Sequence, residues 1–300
     1  MPRRNVQEEV QELVDNAYSI LKKACKQVEI IEYPSKQSRA IDLVSKGKEE
    51  RRIFARVVLD VNSIEKKDVD ELKASASLLN ASPIIISKYI HGYNIEESVA
   101  YEKHGIHVIS VETLESILCR GEKIYVYHTR GIFLAKINKK KFRERRQEMR
   151  LSLGELARLA GVSRKTIYEY ERGTIDLSVD KALKIAEILG YDILDEIDIL
   201  KPPTKIPENI ELRNPDIHTE KKAMDKLKKK GFNVVHLKRT PIDIIAQKGD
   251  ETITIIVKHY TSSKKFRQKV YEAEKIISLT GSKEIILEKE DDVNRIINNL

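Results

Sequence analysis

The chain has 300 residues, of which 41% are hydrophobic and 34% are charged. This length suffices for two or three domains, each with its own core, and the charged fraction exceeds the ~25% of an average soluble protein. The net charge of +8 favours an anionic partner. No segment approaches the ~18 uninterrupted apolar residues of a membrane-spanning helix, and the N terminus lacks an apolar signal region. We therefore expect a cytoplasmic protein without membrane contact.

The first part of the chain alternates between helical and strand-like patterns. A helix is predicted from Val6 to Lys26, and the short β-branched runs VEIIEY, AIDLVS, RIFARVVLDV and SPIIISKYI follow it, with a helix before the last run. The third part has the same plan, beginning with a helix from Glu220 to Lys230. This alternation predicts an α/β layer structure in both parts.

The two α/β parts also align residue by residue. When AIDLVSKGKEERRIFARVV is placed over PIDIIAQKGDETITIIVKH, Asp42 matches Asp243 and Arg56 matches Lys258. The shared order of elements around these segments predicts two diverged copies of one fold.

Two shifts in composition divide the chain. Four prolines fall in the run KPPTKIPENIELRNPD, where missing amide donors exclude a continuous helix or central strand. A strand-like segment also gives way to a basic helix at Lys139 to Lys141. The predicted domains are therefore an N-terminal α/β lobe at 1–136, a helical domain at 137–201, a proline-rich linker at 202–215 and a C-terminal α/β lobe at 216–300.

The middle part contains five short helical segments. Ser152 and Glu155 form a capping-box pattern at the start of the second segment, and Gly161 provides the positive φ of a tight turn between helices. Ser163 can cap the third helix, Arg164 to Arg172. A fifth helix is predicted around Ile193 to Ile197. The expected core residues are Leu156, Ala157, Val162, Ile167 and Leu183.

This segment resembles the helix-turn-helix (HTH) domain of the Cro and phage-repressor (XRE-type) regulators. The matching residues are LGELARLAGVSRKTIYEYERG followed by LSVDKALKIAEILG. The charge agrees with this resemblance, because residues 139–175 contain eleven Lys and Arg against five Asp and Glu. The resemblance implies that the third helix enters the major groove of DNA.

The resemblance also assigns roles to single residues. Arg164, Lys165 and Glu169 would face base edges, since Arg can bind guanine with two hydrogen bonds and Glu can accept from cytosine N4. A second group would contact phosphates: Ser152, Ser163, Thr166, Tyr168 and Arg172. Tyr170 and Glu171 are assigned to packing and fold support.

The third part resembles the restriction-endonuclease-like fold of PD-(D/E)XK nucleases through Glu220, Asp243 and Lys258. That family needs a carboxylate or amide two residues before the lysine, where this chain has Ile256, which cannot bind a metal. The first part keeps Asp42 but has Phe54 and Arg56 at the two corresponding positions. Both lobes are therefore interpreted as nuclease relics without catalytic or metal-binding residues, and Asp243 is expected to pair with Lys258 or to cap a turn.

The complete arrangement resembles archaeal HTH-type transcriptional regulators. It predicts a multidomain fold in which two restriction-endonuclease-like α/β lobes flank a five-helix, lambda-repressor-like, all-α HTH domain. The predicted function is sequence-specific binding of double-stranded DNA by a homodimeric transcription regulator that needs no cofactor. The alternative is an HTH-targeted, metal-dependent PD-(D/E)XK-type nuclease, which Asp243 and Lys258 favour and Ile256 opposes.

Overall fold

The computed structural model describes residues 5–203, 214–259 and 261–297, so most of the predicted linker lies outside the described residues. The chain forms two compact units. One comprises Met1–Asn94, Lys103–Val111 and Leu200–Leu300, and the other comprises Ile95–Glu102 and Glu112–Ile199. The predicted domain boundaries stay predictions. In the described part of the chain, no helix is both long and apolar enough to cross a membrane.

The first unit contains one α/β layer at the start of the chain, which we call the first copy. Its elements are α1 (Val6–Ala24), β1 (Gln27–Ile30), β2 (Leu43–Lys46), β3 (Arg52–Asp60), α2 (Lys66–Leu78) and β4 (Ala81–Ile90). The strands lie in the order β1-β2-β3-β4, with two antiparallel pairings followed by a parallel pairing of β3 with β4. Two further strands, β5 (Tyr93–Asn94) and β7 (Ile106–Ile109), pair with β4.

A second α/β layer, which we call the second copy, lies in the same unit. Its elements are α8 (His218–Lys229), β11 (Asn233–His236), β12 (Ile244–Lys248), β13 (Glu251–Val257), α9 (Ser263–Thr280), β14 (Lys283–Leu287) and α10 (Glu290–Ile297). The strand order and the sequence of antiparallel, antiparallel and parallel pairings match those of the first copy. The structure therefore contains the predicted repeat.

The repeat has a different register from the one predicted. The backbone amide of Asp42 donates to Ala55 at 2.8 Å, and that of Asp243 donates to Ile255 at 3.0 Å. Arg56 therefore corresponds to Ile256 and not to Lys258, whose counterpart is Val58. The predicted match of Arg56 with Lys258 is wrong by two residues. It aligned turns of different length, because residues 47–51 connect β2 to β3, whereas only residues 249–250 connect β12 to β13.

The two copies pack against each other through their helices. The buried carboxylate of Glu71 on α2 accepts from the amides of Lys238 at 2.9 Å and Arg239 at 2.6 Å, just after β11. The buried carboxylate of Glu272 on α9 accepts from the amide of Glu32 at 2.7 Å, just after β1. Because each helix carboxylate binds the same segment of the other copy, the copies are related as a pseudo-symmetric pair within one chain.

The second unit contains the HTH domain, with α4 (Lys139–Glu148), α5 (Leu153–Ala160), α6 (Arg164–Arg172) and α7 (Val179–Leu189). The fifth helix predicted around Ile193 to Ile197 is wrong: a single 3-10 turn, Tyr191–Ile193, ends where it should begin, and the following Leu194 pairs with Ile137 as an isolated bridge. The same unit contains β6 (Val99–Lys103), α3 (Val111–Arg120), β8 (Val126–Thr129), β9 (Ile132–Ala135) and β10 (Leu177–Ser178).

The core of the HTH domain differs from the prediction at one residue. Leu156, Ala157 and Ile167 are buried as expected, and Val162 is partly buried against them. Leu183 is 51% exposed, so its predicted core position is wrong. The buried stripe of α7 consists of Ala182, Ile185, Ala186 and Leu189. Leu183 lies one residue, or about 100°, away from the start of this stripe.

Candidate functional site

The turn between α5 and α6 is built by caps that the sequence encodes locally. Ser152 and Glu155 form a reciprocal capping box, with hydrogen bonds of 3.1 and 2.8 Å. Gly161 ends α5 at a φ of 66°, a conformation that favours glycine. The hydroxyl of Ser163 then accepts from the amide of Thr166 at 3.0 Å and caps α6. These caps fix where α6 begins and which residues form its first turn.

One face of α6 is buried and the other is exposed. Ile167 and Tyr170 point into the core, where the ring centroid of Tyr170 lies 6.3 Å from that of Phe142. Arg164, Tyr168 and Arg172, at spacings of four residues, are exposed. The predicted DNA-contacting residues of α6 therefore have access to a partner without rearrangement of the core.

Two contacts organise the exposed face of α6. The guanidinium of Arg172 lies 5.6 Å from the ring centroid of Tyr168, a cation–π distance. The ammonium of Lys165 lies 3.9 Å from the carboxylate of Glu169. Lys165 is highly exposed and its pair with Glu169 is long, so the ion pair is a weak restraint on either side chain.

Behind α6, a charged pair connects it to α4. Arg146 donates to the carboxylate of Glu171, and both side chains are largely buried. Arg146 also donates to the backbone carbonyl of Leu151 at 2.6 Å. Glu171 therefore contacts the protein's own scaffold, in keeping with the fold-support role assigned from sequence, and its charge does not face the exposed side of α6.

The second copy contains a separate cluster of titratable groups. Glu220 on α8 and Asp243 before β12, which the sequence singles out, lie together with His259, and ligand atoms of these three residues are within 4.8 Å of one another. The Nε2 atom of His259 lies 3.1 Å from Glu220 Oε1 and 3.3 Å from Asp243 Oδ1. His236 Nε2 lies 3.1 Å from Glu220 Oε2. Two carboxylates and two imidazoles thus share one small site.

A lysine on α9 completes this cluster. The Nζ atom of Lys269 donates to both carboxylate oxygens of Asp243 at 2.6 Å and to the carbonyl of Val257 at 3.1 Å. Lys258 lies elsewhere, 2.9 Å from Glu288, so the expected pairing of Asp243 with Lys258 is wrong. Because Lys258 begins the chain segment after β13, its side chain is free to turn outward to the segment after β14.

Hydrogen bonds between charged groups shift the pKa values of His259 and Glu220. Hydrogen bonds to Asp243 and Glu220 raise the pKa of His259 to about 9, against the effect of burial. Burial alone would raise the pKa of Glu220, but hydrogen bonds from His236 and His259 lower it below its usual value. Near neutral pH, His259 is therefore a cation between two carboxylates.

The carboxylate of Asp243, which a nuclease would use to bind Mg²⁺ or Mn²⁺, is already engaged by a side-chain cation. Mg²⁺ keeps several water ligands and is usually bound by one or two carboxylates, and here Lys269 donates to both oxygens of Asp243 while Ile256 supplies no ligand. In the first copy, Arg39 and Arg56 donate to the buried Asp42 at 2.6 to 2.9 Å. In each copy, a side-chain cation thus neutralises the aspartate that a nuclease would use for metal binding.

Sequence reasoning missed His236, His259 and Lys269. A signal for Lys269 was present, since it lies on the buried stripe of α9 with Phe266, Ala273 and Ile276. A lysine on such a stripe indicates a buried counter-ion. His236 is the last residue of β11 and His259 lies two residues after β13, and spacing alone does not show that their side chains converge.

Comparison with known proteins identifies both kinds of domain. A family model described as a PD-(D/E)XK superfamily domain matches residues 10–124, and a helix-turn-helix model matches residues 142–195. No solved structure matches the chain.

Curated relatives match most of the chain. A protein of Aeropyrum pernix is 37% identical over 76% of this chain and 70% of its own length. A protein of Sulfurisphaera tokodaii is 35% identical over 94% and 92%, and one of Thermococcus gammatolerans is 30% identical over 94% and 87%. All three carry the name "Putative HTH-type transcriptional regulatory protein".

Proposed function

The chain belongs to the family of archaeal HTH-type transcriptional regulatory proteins represented by these relatives, and we propose that it is a transcription regulator that binds double-stranded DNA sequence-specifically, with α6 in the major groove. The observation that carries this proposal is the exposed face of α6, where Arg164, Tyr168 and Arg172 align opposite the buried Ile167 and Tyr170. A helix of this kind fits the width of the major groove of B-DNA.

Within this function, the first turn of α6 reads bases and the surrounding hydroxyls and cations bind phosphates. Arg164 and Lys165 project from the first turn of α6, and Glu169 lies one turn later. The proposed phosphate contacts are Ser152, Ser163, Thr166, Tyr168 and Arg172. The hydroxyl of Ser152 accepts from a helix amide, which leaves its proton available for donation to a phosphate. The hydroxyls of Ser163 and Thr166 lie 2.8 Å apart, so one of their two protons is used between them and the other is available for a phosphate.

A homodimer is part of the proposal. One HTH covers a half-site, so a two-fold dimer would bind two half-sites whose centres are about 34 Å apart. The α/β lobes are the proposed dimer surface, since the HTH domain must leave α6 free for DNA. Because α2 and α9 each already contact the other copy within one chain, the surface that joins two chains must lie elsewhere.

Neither α/β copy has a catalytic role in this proposal, and DNA binding needs no cofactor. The alternative, a targeted metal-dependent nuclease, is favoured by the meeting of Glu220 with Asp243. The cations on Asp42 and Asp243 oppose it. We propose that the copies have a structural role in the protein.

Selection of bound duplexes from a random pool by the purified full-length protein tests this function. The expected result is enrichment of a two-fold symmetric motif with half-sites about 10 base pairs apart, centre to centre. The variant Arg164→Ala is selected in parallel for comparison. Its selected motif should lose the preference for one base at one position of each half-site. Retention of all duplexes without enrichment would contradict sequence-specific binding.

A further inference from the structure

A β-hairpin precedes the HTH domain, and the proposed function does not use it. Its strands β8 and β9 pair from Val126 with Ala135 to Thr129 with Ile132. The turn consists of Arg130 and Gly131, with φ values of 48° and 81°. Two successive residues with positive φ form the tight type I′ turn of a short hairpin. The turn therefore presents the side chain of Arg130 at a defined tip.

The hairpin is fixed to the HTH domain by its base. Strand β9 pairs with β10, with Ala135 opposite Leu177 and Leu134 opposite Ser178. The carboxylate of Asp176, just before β10, accepts from the hydroxyl of Tyr127 at 2.8 Å and from the amide of Ile137 at 3.1 Å. These bonds tie both hairpin strands to the segment that joins α6 to α7, so the hairpin and α6 are held in one arrangement.

The tip extends beyond that segment. Leu134 lies opposite Ser178, the residue that precedes α7. Gly131, in the turn, is three residues before Leu134, which corresponds to about 10 Å of extended chain. Because β10 follows the C-terminal end of α6 after a short loop and pairs with β9, the base of the hairpin lies near the C-terminal end of α6.

The charge of the hairpin region is suited to a polyanion. Residues 123–143 contain seven Lys and Arg and no Asp or Glu. Arg130 is exposed, and among the residues that the structure describes it forms no ion pair. A cation without an intramolecular counter-ion is available for a phosphate at no cost in broken ion pairs.

The tip also carries exposed apolar surface. Ile132 is 54% exposed and Phe133 is 39% exposed. The ring of Phe133 packs 4.9 Å from that of His128 and 6.4 Å from that of Tyr101, centroid to centroid, so it supports the strand while Ile132 faces solvent. A cation next to an exposed aliphatic side chain matches the alternation of phosphate and deoxyribose along a DNA strand.

We propose that this hairpin is a second DNA-binding element, which contacts the sugar–phosphate backbone beside the groove occupied by α6. Arg130 binds a phosphate, and Ile132 packs on the adjacent deoxyribose. The inference rests on the proposed DNA binding by the HTH domain and extends its footprint. The contact is independent of base sequence, because it involves the backbone alone.

The test compares variants of the full-length protein in DNA binding across a range of salt concentrations. Arg130→Asn removes the charge and keeps the turn, since Asn-Gly is a preferred type I′ pair. It should weaken binding to selected and random duplexes by the same factor and reduce the slope of log K against log[salt] by about 0.9, the value for one phosphate contact. Arg130→Lys should keep the wild-type slope, and Ile132→Ser should weaken binding without changing the slope.

Lys48→Ala is the control for net charge, because Lys48 is an exposed cation in the turn of another hairpin, between β2 and β3. It should leave both affinity and slope unchanged. Hydroxyl-radical cleavage should show a protected backbone segment next to the half-site that is lost in Arg130→Asn. An unchanged slope and footprint in Arg130→Asn would overturn the proposal, as would a change of oligomeric state in Ile132→Ser, which would indicate a contact between protein chains.

The outcome separates this inference from the proposed function. If the wild-type protein binds DNA without sequence preference, the proposed base reading fails, but the salt slope of Arg130→Asn still tests the hairpin. If Arg164→Ala alters the selected motif while Arg130→Asn behaves as wild type, the proposed function stands and the hairpin inference fails.

Discussion

At the scale of single residues, Arg164 and Arg172 provide the sharpest distinction between reading bases and binding phosphates. Both are exposed on α6, but Arg164 lies in its first turn and Arg172 at its end, against Tyr168. Arg164→Ala should cost about 1–3 kcal/mol on the selected duplex and relax one base preference, whereas Arg172→Ala should weaken all duplexes alike. Competition binding between selected and random duplexes measures this difference. Equal losses on both duplexes for Arg164→Ala would reject its base-reading role.

A second residue-scale prediction concerns the pH dependence of stability. The pKa of His259 is raised to about 9, and its ordinary value is 6.5. A raised histidine pKa means that the folded state binds the proton more tightly. The resulting stabilisation is therefore complete below pH 6.5 and is lost as the pH rises through about 9. Asp243, Glu220, His236 and Lys269 are the titratable and charged groups around it.

Urea unfolding at several pH values measures this contribution. The free energy of unfolding of the wild-type protein should decrease between pH 6.5 and 9.5, and the decrease should be smaller in His259→Gln, which keeps a polar side chain at this position. Parallel pH curves for the two proteins would show that His259 is not stabilised as a cation in the folded state.

At the scale of the elements, α7 shows how a correct helix can contain a misassigned residue. Ile185 is fully buried, whereas Leu183, two residues earlier, is 51% exposed. Ile185→Ala should therefore destabilise the protein by about 2–5 kcal/mol, and Leu183→Ala should change stability by no more than about 0.5 kcal/mol. Chemical denaturation of the two variants measures both values. A loss of several kcal/mol for Leu183→Ala would indicate that this side chain is covered, for example by a second chain.

The helix caps and the register of the two copies show which features the sequence could predict. Caps such as Ser152 with Glu155 and the turn at Gly161 depend on neighbours within a few residues, and the helices they delimit form where predicted. The register of Arg56 with Ile256 depends on turn lengths that are set by long-range strand pairing, and the prediction failed there. Helix caps and the turn between helices could therefore be predicted from sequence, but the alignment of the two copies across their turns could not.

The carboxylate cluster follows the same rule. Glu220 and Asp243 could be predicted as neighbours because the resemblance to nucleases brings them together. Lys269, 26 residues after Asp243, had no such guide. Its ammonium occupies a position next to Asp243 that only the packing of α9 on the sheet determines, so the sequence suggested a partner for Asp243 but named the wrong lysine.

At the scale of the whole molecule, the two α/β copies form one unit through helix carboxylates that each bind backbone amides of the other copy. Glu71 and Glu272 are both buried, and their carboxylates accept hydrogen bonds from backbone amides that would otherwise lack a partner at this contact. Chain duplication thus produces within one polypeptide the kind of paired contact that usually joins two identical subunits. This arrangement gives the copies a structural role that requires no catalysis.

That role leads to a prediction for the intact protein. Incubation with supercoiled plasmid, linear duplex and four-way junction DNA in Mg²⁺ or Mn²⁺ should give no cleavage, because Arg56 and Lys269 occupy the carboxylates of Asp42 and Asp243.

The variant Lys269→Ala should also give no cleavage, since Ile256 leaves the site one ligand short. It should strongly destabilise the fold, because Asp243 then has less compensation for its buried charge. Gel analysis of the DNA and denaturation of the protein provide the two readouts. Cleavage by the wild-type protein that disappears in both Asp243→Ala and Glu220→Ala would support the nuclease alternative. A purely structural role does not make phosphodiester cleavage depend on these two carboxylates.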